Sequence, residues 1–404
     1  MTPAEHSVAA ARGAILSAVK PLPSEPVAIE AAGGRTLAHP VAAARAQPPF
    51  RAAAMDGYGV RAADLGSEPL TVLGEAAAGR SYAAAPMRAG GAVRIFTGAA
   101  VPPGVDLIVP QERTRREGDA VWLGAAAHRR SNIRAAGVDF GAGEVLVRSG
   151  VRLNARHIAL IAASGTGTVQ VARRPRVAVL ATGDELVQPG AAATAHQIFD
   201  SVSFGVGASI GEWGGEALRL ALRPDSEPAI AAAAADALGR ADLLVVIGGA
   251  SVGDYDVVKQ SLAGLGLGIA VERVAIRPGR PTWFGRAKDK PVLGLPGNPA
   301  AALVCAHLFL RPLLARLLGR AGEDAGAVAL LEGEVAASGP NECYPRAVAT
   351  RGEDTHLRVR PCENQDTSLL SVFATANVLI RRPAHSAAAT SGERVEVLRL
   401  EALV

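Results

Sequence analysis

Apolar and polar positions change rhythm twice along the chain. Residues 5–20 space Val8, Ile15, Leu16 and Val19 along one side of a helix that Pro21 and Pro23 end. From 26 to 175 the apolar residues fall in short runs, at 70–73, 92–97, 107–109, 121–123 and 145–147, separated by Gly and Pro. That texture predicts a β-rich region with few long helices. From Pro175 the period alternates. Strands are expected at 177–181, 216–221, 243–247, 269–276 and 292–295. Helices are expected at 201–214, 227–241, near 256–264 and at 299–318. Strands alternating with helices predict a parallel, doubly wound sheet with ligand loops at the strand C-termini. After 320 short strands return, at 327–335, 356–361, 378–382 and 394–398, which suits a small β-barrel or sandwich.

The expected fold class is therefore a multidomain α/β protein. A β-rich N-terminal region of two subdomains covers 1–174, an α/β domain 175–320 and a small C-terminal β-barrel 321–404. The N-terminal helix is expected to pack on the α/β domain.

Composition narrows the chemistry. The 404 residues are 49% hydrophobic, so several cores can form. Aromatics are only 4%, which argues against a base-stacking surface, and a net charge of +4 argues against a nucleic-acid binder. The basic residues are nearly all Arg; the lysines are Lys20, Lys259, Lys288 and Lys290. Cys305, Cys343 and Cys362 form no CxxC, so neither a zinc knuckle nor a redox pair is signalled, and Cys305 reads as core. His128, His157, His196 and His307 have no ligand spacing and read as structural or surface residues. The N-terminus lacks a signal-peptide core and no run of 18 apolar residues occurs, so no membrane association is expected and the cytoplasm is the expected location.

Three strand-to-helix junctions carry unusual residues. Thr182-Gly183-Asp184-Glu185 leaves its strand with two adjacent acids. Gly248-Gly249-Ala250-Ser251-Val252-Gly253-Asp254-Tyr255-Asp256 follows a buried apolar strand. Its glycines leave N–H groups bare for a phosphate, and its carboxylates suit Mg²⁺. Pro296-Gly297-Asn298 tightens the turn into a helix whose free N–H groups would hold an anion. Arg277-Pro278-Gly279-Arg280 sets two guanidiniums around a turn, a possible oxyanion clamp or a plain surface turn. The P-loop pattern is absent, and Gly165-Thr166-Gly167-Thr168 is only a fragment of a dinucleotide fingerprint.

One ordered set of motifs is far more specific. Ala54-Met-Asp-Gly-Tyr58, Arg94-Ile-Phe-Thr-Gly-Ala99, Ala181-Thr-Gly-Asp-Glu-Leu186, Gly248-Gly-Ala-Ser-Val-Gly253 and Gly294-Leu-Pro-Gly-Asn-Pro299 occur in this order. Together they resemble the molybdopterin molybdenumtransferase family, the MoeA proteins related to the gephyrin E domain, over roughly residues 5–400. The resemblance implies an elongated homodimer with interleaved N-terminal domains. It implies adenylylated molybdopterin and molybdate as small-molecule substrates, Mg²⁺-dependent pyrophosphate cleavage, metal insertion into the dithiolene, and release of AMP. Molybdopterin adenylyltransferase and apo-molybdoenzymes are the implied protein partners.

Carried over motif by motif, Asp56, Thr97, Asp139, Glu185 and Asp225 are the implied catalytic residues. Glu185, Asp256 and Asp184 would handle the metal. Thr182, Gly183, Asp184, Gly248, Gly249, Ser251, Gly253, Pro296, Gly297, Asn298, Arg277, Arg280 and Ser371 would bind substrate, with Arg346 a further C-terminal candidate. Arg277 and Arg280 stand where the family usually has lysines, and Val202 where it often has Asn. Three alternatives remain at this point: the adenylyltransferase step on a similar α/β domain, a non-catalytic scaffold, and a pyrophosphatase sharing Thr-Gly-Asp-Glu-Leu.

Overall fold

The computed structural model describes residues 5–66, 68–83, 87–124, 130–248, 257–320 and 326–400. The central unit is built on six strands in the order Glu216–Arg219, Arg176–Ala181, Leu243–Ile247, Lys290–Leu295, Trp283–Ala287 and Gly268–Val271. The first four run parallel, and the last two are antiparallel to their neighbours. The sheet is therefore mixed, where a parallel one was expected. The chain reverses at Lys288 and Asp289, whose φ angles are 47° and 59°. Two adjacent positive-φ residues make the tight turn that suits a two-residue hairpin between Ala287 and Lys290. The run expected as one strand at 269–276 is broken into Gly268–Val271, Arg273–Val274 and Ile276–Arg277.

Side-chain alternation along the parallel strands sorts residues onto two cores. Val177, Val179, Leu243, Val245 and Ile247 face one core, closed by helix Val8–Ser17, helix Val202–Glu212 and the long helix from Pro299. Ala178, Leu180, Leu244 and Val246 face the other, under Glu227–Arg240 and Val257–Ala263. Helices on both faces make the unit doubly wound. The N-terminal helix does pack on it: Val8, Ala11 and Ile15 are buried in the first core. Ser7 caps that helix by accepting from Ala10 N at 3.2 Å, and strand Glu5–His6 pairs with Arg273–Val274.

The long helix reads Pro299–Cys305, then a π-helical turn Ala306–Leu310, then Arg311–Leu317. The Arg311 N–H reaches back five residues to the Ala306 carbonyl. Its length and apolarity would allow a membrane crossing, but 72% of that stretch is buried inside the protein, as befits a core helix. His307 on the π-turn meets Trp213 edge-on at 5.8 Å, and its Nε2 lies 2.9 Å from Arg311 Nη1. Burial, with the Arg311 charge adding to it, lowers His307 to about 4. Cys305, wholly buried as expected, is pushed up to about 12 by burial and is inert as a thiolate.

The N-terminal region holds two packing units. Residues of 32–41 and 147–171 share one core around Leu37, Leu153, Ile161 and Val171. Its helix Ala155–Ala163, capped reciprocally by Asn154 and His157, was not foreseen. Inserted between those halves is a six-stranded sheet ordered Leu107–Pro110, Gly57–Val60, Gly91–Ile95, Leu70–Ala76, Ala120–Leu123, Thr114–Glu117. The C-terminal strands Gly326–Leu331, Leu357–Pro361, Arg346–Arg351, Val378–Arg381 and Arg394–Arg399 close a barrel. Arg346–Arg351 escaped the sequence reading because its inward residues, Ala347 and Ala349, are small.

Candidate functional site

The three unusual junctions meet at the C-terminal edge of the parallel strands. Thr182 N donates to Ile247 O at 3.0 Å, which sets the first junction beside the second. Gly248 has φ +91°, and a Cβ there would lie 2.5 Å from the Thr182 carbonyl oxygen. A Cβ on Gly297 would lie 3.6 Å from Gly248 Cα, which brings in the third. Gly248 thus sits between the other two, and only glycine fits there. Gly249, Ser251, Gly253 and Asp256 lie outside the described residues, so the rest of this loop is not placed.

Carboxylates gather at the first junction. The Asp184 carboxylate accepts from Asp225 N at 3.1 Å, and Gly183 N donates to Arg223 O at 3.3 Å. The Glu185 carboxylate curls back over Gly183, within 2.8 Å of where a Cβ would stand. Partial desolvation, joined by the Asp184 and Glu185 charges, pushes the Asp225 carboxyl up, while the Thr182 hydroxyl works against it. That hydroxyl is buried and closes no well-formed hydrogen bond among the described residues. Mutual repulsion of three carboxylates is what a divalent cation relieves. No group of three His, Cys, Asp or Glu converges on a single point among the described residues. Mg²⁺ does not require that, since it takes one or two carboxylates together with phosphate oxygens and water. Asp184, Glu185 and Asp225 therefore fit Mg²⁺.

The third junction is shared with the barrel. Asn298 Nδ2 donates to Thr367 Oγ1 at 3.1 Å, and Ala300 N to Thr367 O at 2.9 Å. The helix start, expected to offer free N–H groups, has thus already given one to the barrel loop. Arg346, 2% exposed, holds that loop through Gln365 Oε1, Asn364 O and Leu369 O. Ser371 follows on the short helix Leu370–Thr375, exposed. A cleft of about 550 Å³ between the α/β unit and the barrel is lined by Arg277, Arg346, Arg382, Asp366 and Thr367. The sequence gave no signal for Thr367, whose contacts are between domains.

Arg277 and Arg280 do not act as a matched pair. Arg277 lines that cleft, whereas Arg280 pairs with Glu5, Nε to Oε1 at 2.8 Å.

The N-terminal candidates form a second set. Asp56 Oδ1 accepts from Thr97 N at 2.8 Å and from Thr97 Oγ1 at 2.7 Å. Those bonds, helped by the Arg94 charge, hold its carboxyl below the usual range. Arg94, given no role from sequence, stacks on Phe96 and Tyr58 and bonds Gln111 Oε1. Asp139 lines a groove of about 690 Å³ with Gly98, Arg45, Arg134 and Phe50. No hydrogen bond or ion pair among the described residues joins this set to the junction carboxylates.

Three family models cover most of the chain: "MoeA N-terminal region (domain I and II)" at residues 6–165, "Probable molybdopterin binding domain" at 178–316 and "MoeA C-terminal region (domain IV)" at 329–400. A molybdopterin molybdenumtransferase of Haemophilus influenzae is 32% identical over 386 residues, covering 93% of this chain and 94% of that protein. One from Nostoc sp. is 38% identical over 74% of this chain and 70% of its own length. Among solved structures, a molybdopterin biosynthesis moeA protein from Pyrococcus horikoshii superposes with a TM-score of 0.86 at 30% identity, over 99% of this chain and all of its own.

Proposed function

The chain belongs to the MoeA family, and from that premise we propose that it inserts molybdenum from molybdate into adenylylated molybdopterin and releases AMP. The transfer of molybdenum to molybdopterin, in molybdenum cofactor biosynthesis, is the activity its relatives carry in their names. The adenylyl leaving group, Mg²⁺, a homodimer and a cytoplasmic setting are the finer parts of this reading.

One observation carries it: three junctions meet at one sheet edge, with Asp184, Glu185 and Asp225 beside a turn that only glycine allows at Gly248. A pyrophosphate fits such a place. Asp184, Glu185 and Asp225 would hold Mg²⁺, which offsets charge on the pyrophosphate as its bond to the adenylyl group breaks. The N–H groups of Gly297 and Asn298 have no partner among the described residues and face the same edge, so they bind phosphate oxygens. Ser251, Gly249, Gly253 and Asp256 would complete the pocket.

Molybdate, an oxyanion, is held by guanidiniums, which donate without changing protonation state. Arg277, Arg280 and Arg346 are the residues for this, with Ser371 beside them. Asp56, Thr97 and Asp139 sit on a different packing unit from the junctions. In a homodimer with interleaved N-terminal domains, they would close the cleft of the partner copy.

The experiment is a single-turnover mix of the protein with adenylylated molybdopterin, Mg²⁺ and molybdate. AMP release and activation of an apo-molybdoenzyme are followed together. Molybdate-dependent AMP release that is lost in Glu185→Ala supports the reading. Binding without AMP release or activation refutes it.

A further inference from the structure

The ion pair between Glu5 and Arg280 joins the first described residue to the turn read here as an oxyanion ligand. Both partners are held by rigid backbone. Glu5 lies on the strand paired with Arg273–Val274; Ala275 N donates to His6 O at 2.8 Å, and the helix that follows is anchored by buried Val8, Ala11 and Ile15. In the turn, Gly279 has φ +109° and Cys305 Sγ fills the place a Cβ would take, 2.0 Å away. Thr282 N and Oγ1 both donate to Gly279 O, and Val274 N donates to Arg280 O at 3.1 Å. The soft part of this arrangement is the Arg280 side chain itself, 58% exposed.

Glu5 removes that softness in a particular way. Its Oε1 accepts from Arg280 Nε at 2.8 Å and its Oε2 from Nη2 at 3.4 Å, so one edge of the guanidinium is clamped. Nη1 has no partner among the described residues. A guanidinium is a planar fork with five donors on two usable edges, while a lysine is a single point charge. Arg can therefore be tethered by a carboxylate and still offer a second edge to an anion. A lysine tethered by Glu5 would have no fixed second edge to offer.

We propose that Glu5 is a positioning residue for molybdate capture: it holds the Nε–Nη2 edge of Arg280 and presents the Nη1 end to an oxyanion oxygen. The inference rests on Arg280 being an oxyanion ligand. It gives the Lys-to-Arg departure a physical reason, since the arginine and its carboxylate tether work as a unit.

Holding one long side chain in advance is worth about two- to tenfold in binding. Glu5→Ala in the full chain should raise the molybdate KM by that factor. The kcat at saturating molybdate and the KM for adenylylated molybdopterin should stay as they are, and calorimetric titration with molybdate alone should weaken equally. Glu5→Gln, which keeps an acceptor oxygen, should show a smaller rise. In an Arg280→Ala background, Glu5→Ala should add nothing. If Arg280→Ala leaves the molybdate KM unchanged, the reading of Arg280 fails and the inference falls with it. If Arg280→Ala raises that KM while Glu5→Ala leaves it unchanged or lowers it, the inference alone is overturned. A loss of thermal stability or kcat without a KM change would make Glu5 merely structural.

Discussion

One oxygen of Asp56 takes two hydrogen bonds from one residue, the Thr97 amide at 2.8 Å and the Thr97 hydroxyl at 2.7 Å. Both bonds favour the charged carboxylate and hold its pKa down. Thr97→Val removes the hydroxyl and leaves the amide. The Asp56 pKa should then rise, and the acid limb of the activity profile should move to higher pH. Thr97→Ser should restore the profile. Carboxylate titration by NMR in both variants checks this directly; an Asp56 that titrates alike in both would refute it.

At the junction the acids repel one another, and the same argument runs in reverse. Removing divalent metal with a chelator should stop AMP release, and added Mg²⁺ should restore it. Glu185→Gln should lower the rate by roughly 10²-fold, the scale of removing one preorganised electrostatic contact. Asp225→Asn should relieve repulsion and raise thermal stability slightly while lowering activity. Scanning calorimetry beside the turnover assay separates the two effects.

Gly248 tests the convergence of the three junctions. An alanine there would be strained at φ +91° and would press on the Thr182 carbonyl. Strain of this kind costs on the order of 1–3 kcal/mol. The expected outcome for Gly248→Ala is a lower Tm together with lost ligand binding, read by melting with and without adenylylated molybdopterin. Gly239→Ala, on a helix with open space around it, is the control and should do neither.

His307 links pH to stability. Its folded pKa of about 4 lies below the ordinary value of 6.5, so the unfolded chain binds the proton first as pH falls. The stabilisation is full above about pH 6.5 and is lost progressively as pH falls toward 4. The size is about 3 kcal/mol at most. Melting curves of the protein and of His307→Gln at pH 7.5 and pH 5 should show a smaller acid-induced drop in Tm for the variant.

Strong periodic segments were legible in the sequence. Leu243–Ile247 is an unbroken apolar run, and its ends were found to the residue. The hairpin at Lys288–Asp289 was not, because neither residue announces a turn as Asn-Gly would. Asp56 with Thr97, and Thr182 with Gly248 and Gly297, were named from motifs, and the structure brings each group together. What escaped was the pairing across domains. Glu5 is 275 residues from Arg280 and Thr367 is 69 from Asn298, and no local spacing encodes such contacts.

The π-turn at Ala306–Leu310 divides the long core helix into two rods with different phase. A π-turn amounts to one residue added to an α-helix, which advances about 100° per residue. Pro312, just beyond it, lacks the N–H that an unbroken α-helix would need there. Deleting a single residue from this turn would leave the helix intact by composition yet rotate everything after it. Leu313, Leu314 and Leu317 would swing off the sheet, and Arg311 away from His307. Single-residue length changes here act as rewiring of the core, whereas the same change in a surface loop would be absorbed.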